Sequence, residues 1–254
     1  MVRSLCRQIV KRGELVANLL YKNWAPINDK IGVYIPTVGE IIDCEDDYYS
    51  LVTILTAMPI DFMVQLDDLG IDFTEINEYD LLLILFPELK SKDVSMIFGN
   101  LDLSGFELMI NQQNNNIVLR DEVNDITIDR SVYSMISNTL RKIHSLERDR
   151  RKPANKEAKD YMLERARKKL RRSKNKPHES QLESLIISLV NTEQFKYDFE
   201  GTRELSIYQF NVSAQQVIKK TDYEHLMHGI YSGSISVKDI NADELIWLYK
   251  TKNL

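Results

Sequence analysis

"FELMINQQNNNIVLRDEVNDITIDRSVYSMISNTLRKIHSL", residues 106–146, holds three short β-rich runs and then one helical run. The runs are FELMI (106–110), NIVLRD (116–121) and DITIDR (125–130), separated by an Asn/Gln-rich turn and a Val-Asn turn. Apolar and β-branched residues set between turn formers predict a three-stranded meander. Beyond it the period changes. Val132, Ile136, Leu140 and Ile143 recur at helical spacing, and Ser131 stands where an N-cap belongs. A meander running straight into an amphipathic helix predicts an α+β fold, and the flanking segments make it mostly α-helical.

Upstream, residues 1–24 read as an amphipathic helix rather than a signal peptide, because Arg7, Lys11 and Arg12 interrupt any apolar core. GVYIPTVGEIID (32–43) reads as extended, broken by Pro36 and Gly39. DDYYSLVTILTAM (46–58) predicts a buried helix, with Tyr48, Leu51, Val52 and Leu55 on one face. Pro59 opens the next helix and Gly70 ends it. Asn77 with Asp80 marks a further start, Pro87 interrupts that run, and Ser91 caps a short helix over KDVSMIFG. Downstream, QLESLIISLVNTEQF and SIYQFNVSAQQVIKK predict helices. TDYE (221–224) and NADE (241–244) each place a capping residue three positions before Glu, so two more helix starts are expected there. SGSISVKDI links them, with Gly229 and Gly233 ending the first.

Charge is distributed unevenly. Residues 141–176 carry sixteen Lys or Arg against five Asp or Glu, a balance of +11; with −5 for the whole chain, the remainder carries −16. Inside that segment Ala158, Met162, Ala166 and Leu170 recur every four residues. A stripe this thin buries little area, so a mobile helix is expected. The organisation that follows is a mixed α+β domain over 1–146, a basic mobile linker helix over 147–180 and a helical domain over 181–254. No run of about 18 apolar residues exists, so no membrane span is expected. Cys6 and Cys44 lie far apart and outside any CxxC, which points to reduced thiols in a cytoplasmic chain.

No GxSxG, P-loop, GxGxxG or HExxH motif occurs. His225 and His228 stand i, i+3, a spacing that lets both rings meet one metal, yet no further ligand stands at a linked spacing. Asp43, Glu45, Asp46 and Asp47 offer oxygens to a divalent cation, but acids at a helix N-terminus are favoured by its dipole in any case. Asp121, Glu122, Asp125 and Asp129 lack EF-hand spacing and read as a polar turn and strand edge. No cofactor and no metal ligand is therefore assigned. Arg148, Arg150, Arg151, Lys152, Arg165, Arg167, Lys168, Lys169, Arg171 and Arg172 form a candidate contact for nucleic acid or for an acidic partner. Only Tyr161 lies among them, whereas a single-strand groove interleaves aromatics with cations.

The stretch SIYQFNVSAQQVIKKTDYEHLMHGIYSGSISVKDINADELIWL (206–248) carries a Y-x-x-L-M-x-G-I-Y-x-G helix end and a V-x-x-I-N-x-x-E-L-x-W element. It resembles the C-terminal part of tail assembly chaperones and other virion morphogenesis proteins of phages infecting Firmicutes, and residues 38–86 are similar to their start. The resemblance implies a non-enzymatic protein of the host cytoplasm or the virion. Its partners would be other phage morphogenesis or structural proteins, or further copies of itself, with no membrane involved. Tyr223, Met227, Tyr231, Leu245, Trp247 and Tyr249 are then the candidate partner-binding residues. Two other readings stand beside this one. The first is a nucleic-acid-binding regulator or anti-defence protein using residues 148–176. The second is a metal-dependent enzyme built on Asp43, Glu45, Asp46 or Asp47.

Overall fold

The computed structural model describes residues 18–111, 115–173, 179–236, 238, 240 and 247. Strand β1 (Trp24–Pro26) pairs antiparallel with β2 (Gly32–Tyr34), Pro26 opposite Gly32. Gly32 is required there, because a Cβ would collide with the Trp24 indole. The expected extended stretch stops at Tyr34. Thr37 opens α1 (Val38–Ile42) with a reciprocal cap: its N–H donates to the Glu40 carboxylate at 2.7 Å and its hydroxyl accepts from the Glu40 N–H at 3.2 Å. Thr-x-x-Glu is a helix start, and it overrides the neighbouring Pro36 and Gly39.

Helix α2 (Glu45–Thr56) buries Tyr48, Leu51, Val52 and Leu55 as the spacing predicts. Pro59 opens a 3-10 turn (Pro59–Phe62) that passes into α3 (Met63–Asp68), and Gly70 follows at φ +73°. Asn77 caps α4 (Glu78–Lys90), accepting from the Tyr79 and Asp80 N–H groups. This helix continues through Pro87, which sits so near the end that little of the hydrogen-bond ladder is lost. Ser91 is the C-cap of α4 rather than an N-cap, its hydroxyl donating to the Glu88 carbonyl at 2.7 Å. The short α5 (Ser95–Phe98) begins beyond it.

The meander is present as β3 (Glu107–Ile110), β4 (Ile117–Asp121) and β5 (Ile126–Ile128), antiparallel in that order. Asp129, not Ser131, caps α6 (Arg130–His144): its carboxylate accepts from the Val132 N–H at 2.8 Å. The basic helix α7 (Lys156–Ser173) follows, then α8 (Gln181–Val190), α9 (Phe199–Glu204) and α10 (Ile207–Tyr231). Ser206 and Gln209 form the capping box of α10. No helix starts at TDYE, which lies inside α10. A helix already nucleated upstream propagates through a local start signal at one hydrogen bond per residue. NADE lies outside the described residues. The chain is thus a mostly α-helical α+β protein with two small antiparallel sheets.

Helices α2 and α6 pack against each other, with α4 on α2 and α10 on α6. Most of their buried apolar residues, with Ala25, Val33, Leu119, Ile126 and Ile128 of the two sheets, form one cluster that also takes in Leu182, Ile186, Leu189, Ile207 and Phe210. Backbone bonds tie the start of α1 to the start of α10: the Val38 N–H donates to the Leu205 carbonyl and the Ile207 N–H to the Pro36 carbonyl, each at 2.8 Å. The helical segment expected as a unit of its own thus contributes α8, Leu205 and the first half of α10 to a core shared with residues 18–146. Burial in one cluster carries these contacts across the composition break near residue 180. The basic helix, expected to be mobile, rests against α3 through a second, smaller cluster containing Leu163. Among the described residues no single helix is long and apolar enough to cross a membrane.

Candidate functional site

Helix α10 changes character along its length. Ile207, Tyr208, Phe210 and Ala214 are buried, and between residue 215 and the end of the helix at Tyr231 no side chain is. Ile218 is 53 % and Tyr231 81 % exposed, while Tyr223 and Met227 are half-buried. Twenty-five residues span about 37 Å at 1.5 Å per residue, so the second half of α10 runs past what α6 can cover. Beside it opens a cavity of about 610 Å³ lined by Phe195, Lys196, Tyr197, Val217, Lys220 and Trp247.

The local structure fixes this groove from both sides. The turn after α8 is closed by the Thr192 hydroxyl, which donates to the Leu189 carbonyl at 2.5 Å, and by the Phe195 N–H donating to the Thr192 carbonyl at 3.2 Å. Phe195 stacks edge-on against Phe210 in the core, with ring centroids 6.3 Å apart, and tilts toward Tyr197 at 5.5 Å. On the α10 side, Gln216 donates to the Trp247 carbonyl at 2.6 Å, and the Lys220 ammonium lies 5.9 Å from the Trp247 ring. Lys220 also pairs with Glu224 at 3.6 Å. The result is an aromatic slot with one wet, charged edge. Such a slot suits an apolar side chain of another polypeptide.

Of the six residues proposed from the sequence for partner binding, the structure brings Trp247 to this slot and places Tyr223, Met227 and Tyr231 further along α10. Leu245 and Tyr249 lie outside the described residues. Sequence reading missed Phe195, Tyr197 and Lys220. The signal was available in FKYDF (195–199), where aromatics alternate with charges just after a helix end.

The ten cations separate into two groups. Arg148 is pinned to the body: its Nη2 donates to Asn138 at 2.5 Å and its Nε lies 3.2 Å from the Glu78 carboxylate. That carboxylate also faces the buried Arg141 at 3.7 Å, whose guanidinium donates to the Thr56 carbonyl and to the Ser137 hydroxyl. Burial lowers the Arg141 pKa, with Glu78 opposing the shift. Arg151 clamps Asp149, Arg167 clamps Asp67 and Asp68, Lys168 pairs with Glu164, and Arg165 lies over the Tyr161 ring. Arg150, Lys152, Lys169, Arg171 and Arg172 are the exposed remainder. Half of the expected anion-binding surface is therefore engaged within the chain.

The acidic groups have structural partners. Glu45 reaches the start of α8, accepting from the Ser180 hydroxyl and from the Leu182 N–H at 3.2 Å. Asp43 lies 4.0 Å from Arg203, and Asp46 and Asp47 stand in the first turn of α2. Asp121 caps its own hairpin, taking the Val123 and Asn124 N–H groups and the Asn124 amide, a set that lowers its pKa, the Asn124 amide most of all. Asp125 pairs with Lys30 and Arg120, and Glu122 is exposed. His225 and His228 are both exposed. Among the described residues no three His, Cys, Asp or Glu side chains gather as a metal site would require. His144 differs from these two: it accepts or donates at Nε2 to the Tyr48 hydroxyl at 2.9 Å, and burial lowers its pKa to about 4.

Neither a curated protein nor a solved structure gives a significant match to the chain. Residues 173–252 match the family model described as YomV second domain, a family of phage type. The matched stretch takes in α8, α9, α10 and the whole aromatic slot. It is less than half of the chain, so it establishes a phage-type likeness for this part of the molecule.

Proposed function

We propose that this chain is a non-enzymatic bacteriophage protein. In this reading it works in virion, specifically tail, assembly by holding another phage polypeptide, as an assembly chaperone or a minor structural component. It acts in the host cytoplasm and either leaves with the particle or stays behind. The observation that carries the reading is the exposed second half of α10 with its aromatic slot, located inside the stretch that matches the phage-type family. A half-covered helical face beside an aromatic slot is the form helix-in-groove recognition takes. The anchors are Trp247, Tyr197 and Phe195, with Tyr223, Met227 and Tyr231 extending the surface. Immobilised protein is expected to retain one or more tail proteins of the same phage, and Met227→Asp with Tyr231→Asp to lose them while keeping its helical circular dichroism. Retention of no tail protein by the folded wild type would end the proposal.

A second reading is favoured by one observation, the five exposed cations Arg150, Lys152, Lys169, Arg171 and Arg172. Five phosphate contacts would give a salt slope near −4 to −5 on a double-logarithmic plot of duplex affinity. A gel-shift titration checks it: reversing Lys169, Arg171 and Arg172 to Glu must flatten that slope, and an unchanged slope removes nucleic acid as the ligand of this segment.

A further inference from the structure

The contact beneath α7 has its own chemistry. Helix α3, the turn before it and the loop after it present Ala57, Ile60, Leu66 and Phe73, joined by Leu81 of α4, in a cluster separate from the main core. From α7, Leu163 enters that cluster, 8 % exposed, and the half-buried Met162 packs against it. Four residues before it, the Lys159 ammonium lies 2.5 Å from the Asp72 carboxylate and 5.6 Å from the Phe73 ring centroid. Four residues after it, Arg167 reaches Asp67 at 2.7 Å and Asp68 at 2.6 Å. Three groups at i, i+4 and i+8 span about 12 Å along one face of a helix. An apolar socket bracketed by carboxylates at both ends is complementary to that face.

The occupant is weakly held. Ala158, Met162 and Ala166 are only half-buried, and Leu170 is 38 % exposed. The ion pairs are open to water, where such pairs contribute little and weaken with salt. Ordering an 18-residue helix for one buried leucine leaves a small net gain.

From this we infer that the surface of α3 is a docking groove for a basic amphipathic helix of a partner protein, of pattern Lys/Arg-x3-Leu-x3-Lys/Arg, and that α7 fills it in cis until displaced. The inference is independent of the α10 slot, and either can fail without the other. Charge selects the class of partner: Asp67, Asp68 and Asp72 reject an acidic helix and reward cations spaced eight residues apart.

The probe is a fluorescein-labelled synthetic peptide of residues 156–173, added to the full-length protein. Lys159→Glu with Leu163→Asp in the protein weakens the internal occupant, so the peptide is expected to bind that variant at least tenfold more tightly than wild type. Adding Asp67→Lys and Asp68→Lys must abolish the gain, and a peptide carrying Leu163→Asp must not bind. Equal binding to wild type and opened variant, or binding indifferent to the Asp67 and Asp68 changes, overturns the groove. Hydrogen exchange on the wild type avoids any folding defect of the variants: saturating peptide should speed exchange of amides 158–170 severalfold by displacing α7, and unchanged exchange overturns displacement. A concentration-dependent dimer of wild type that Leu163→Asp dissolves would overturn a foreign partner as the occupant and give the groove to a second copy.

Discussion

Helices α6 and α7 follow one another in the chain, both rich in cations, and are held in opposite ways. Helix α6 sends Tyr133, Ile136, Ser137, Leu140, Arg141 and Ile143 into the interior, its two ends are capped by Asp129 and Ser145, and its Arg141 guanidinium is satisfied by the Thr56 carbonyl of the body. Helix α7 buries one leucine, rests Met162 beside it and otherwise meets the body through ion pairs at its rim. Apolar content per residue decides the difference. An amphipathic helix whose stripe is wide enough becomes part of the core, while a cationic helix with a thin stripe can only rest on a surface. Such segments are drawn from the low end of local stability, where a binding event can move them.

The largest expected effects break the α6 side. Leu140→Ala should lose about 3–4 kcal/mol of global stability in urea denaturation, since Leu140 is fully buried. Leu163→Ala should leave the global midpoint within about 1 kcal/mol and show itself in faster exchange of α7 alone. Arg141→Ala leaves the Thr56 carbonyl without its donor and Glu78 with Arg148 as its ion-pair partner, a loss of about 2–3 kcal/mol. Its counterpart Arg167→Ala should loosen α7 without a measurable shift of the global transition.

A middle-sized effect depends on pH. His144 has a folded pKa near 4, below its ordinary 6.5. As pH falls, the unfolded chain therefore takes up the proton first. Its contribution is complete above pH 6.5 and is lost progressively until about pH 4, for a total of about 3 kcal/mol. His144→Phe should flatten the stability profile across that window relative to wild type, and parallel profiles would contradict the assignment. On the α7 side, the Lys159 contact, with help from Thr74, holds the Asp72 carboxyl down to about 2. That pair contributes fully above the ordinary carboxylate range and loosens only as pH drops toward 2, so α7 should stay docked through the His144 window.

The smallest expected effect compares two caps. Ser206→Ala at the start of α10 should cost about 1 kcal/mol globally, because this helix start lies within the shared core. Asn155 accepts from the Ala158 N–H at 2.8 Å at the start of α7. Asn155→Ala should therefore speed exchange in the first turn of α7 and leave the global transition unchanged.

Much of this architecture was legible locally. The meander, the buried faces of α2 and α6 and the Asn77 cap all rest on residues close in sequence, whose spacing states which face turns inward. The misreadings were also local. At Thr37 the reciprocal cap was hidden by the neighbouring Pro36 and Gly39, and the helix expected from Ser206 is present but runs through TDYE, where a second start was expected; two start signals on one stretch do not say which one nucleates first. Of the site, Trp247 and Tyr223, Met227 and Tyr231 of α10 were foreseen; Phe195 and Tyr197 come to it from the turn after α8, and Lys220 meets it only because α10 passes beside Trp247.

By itself the sequence determined the mostly helical α+β class, the run of strands into α6 and the lopsided charge, because periodicity and composition act over a few turns of chain. Only the tertiary structure decided that α8 and the first half of α10 share a core with the N-terminal half and that five of ten cations are already engaged. It alone showed Leu163 finding a socket between carboxylates. Those outcomes depend on which surfaces come to face each other across a hundred residues, and no local spacing carries that information.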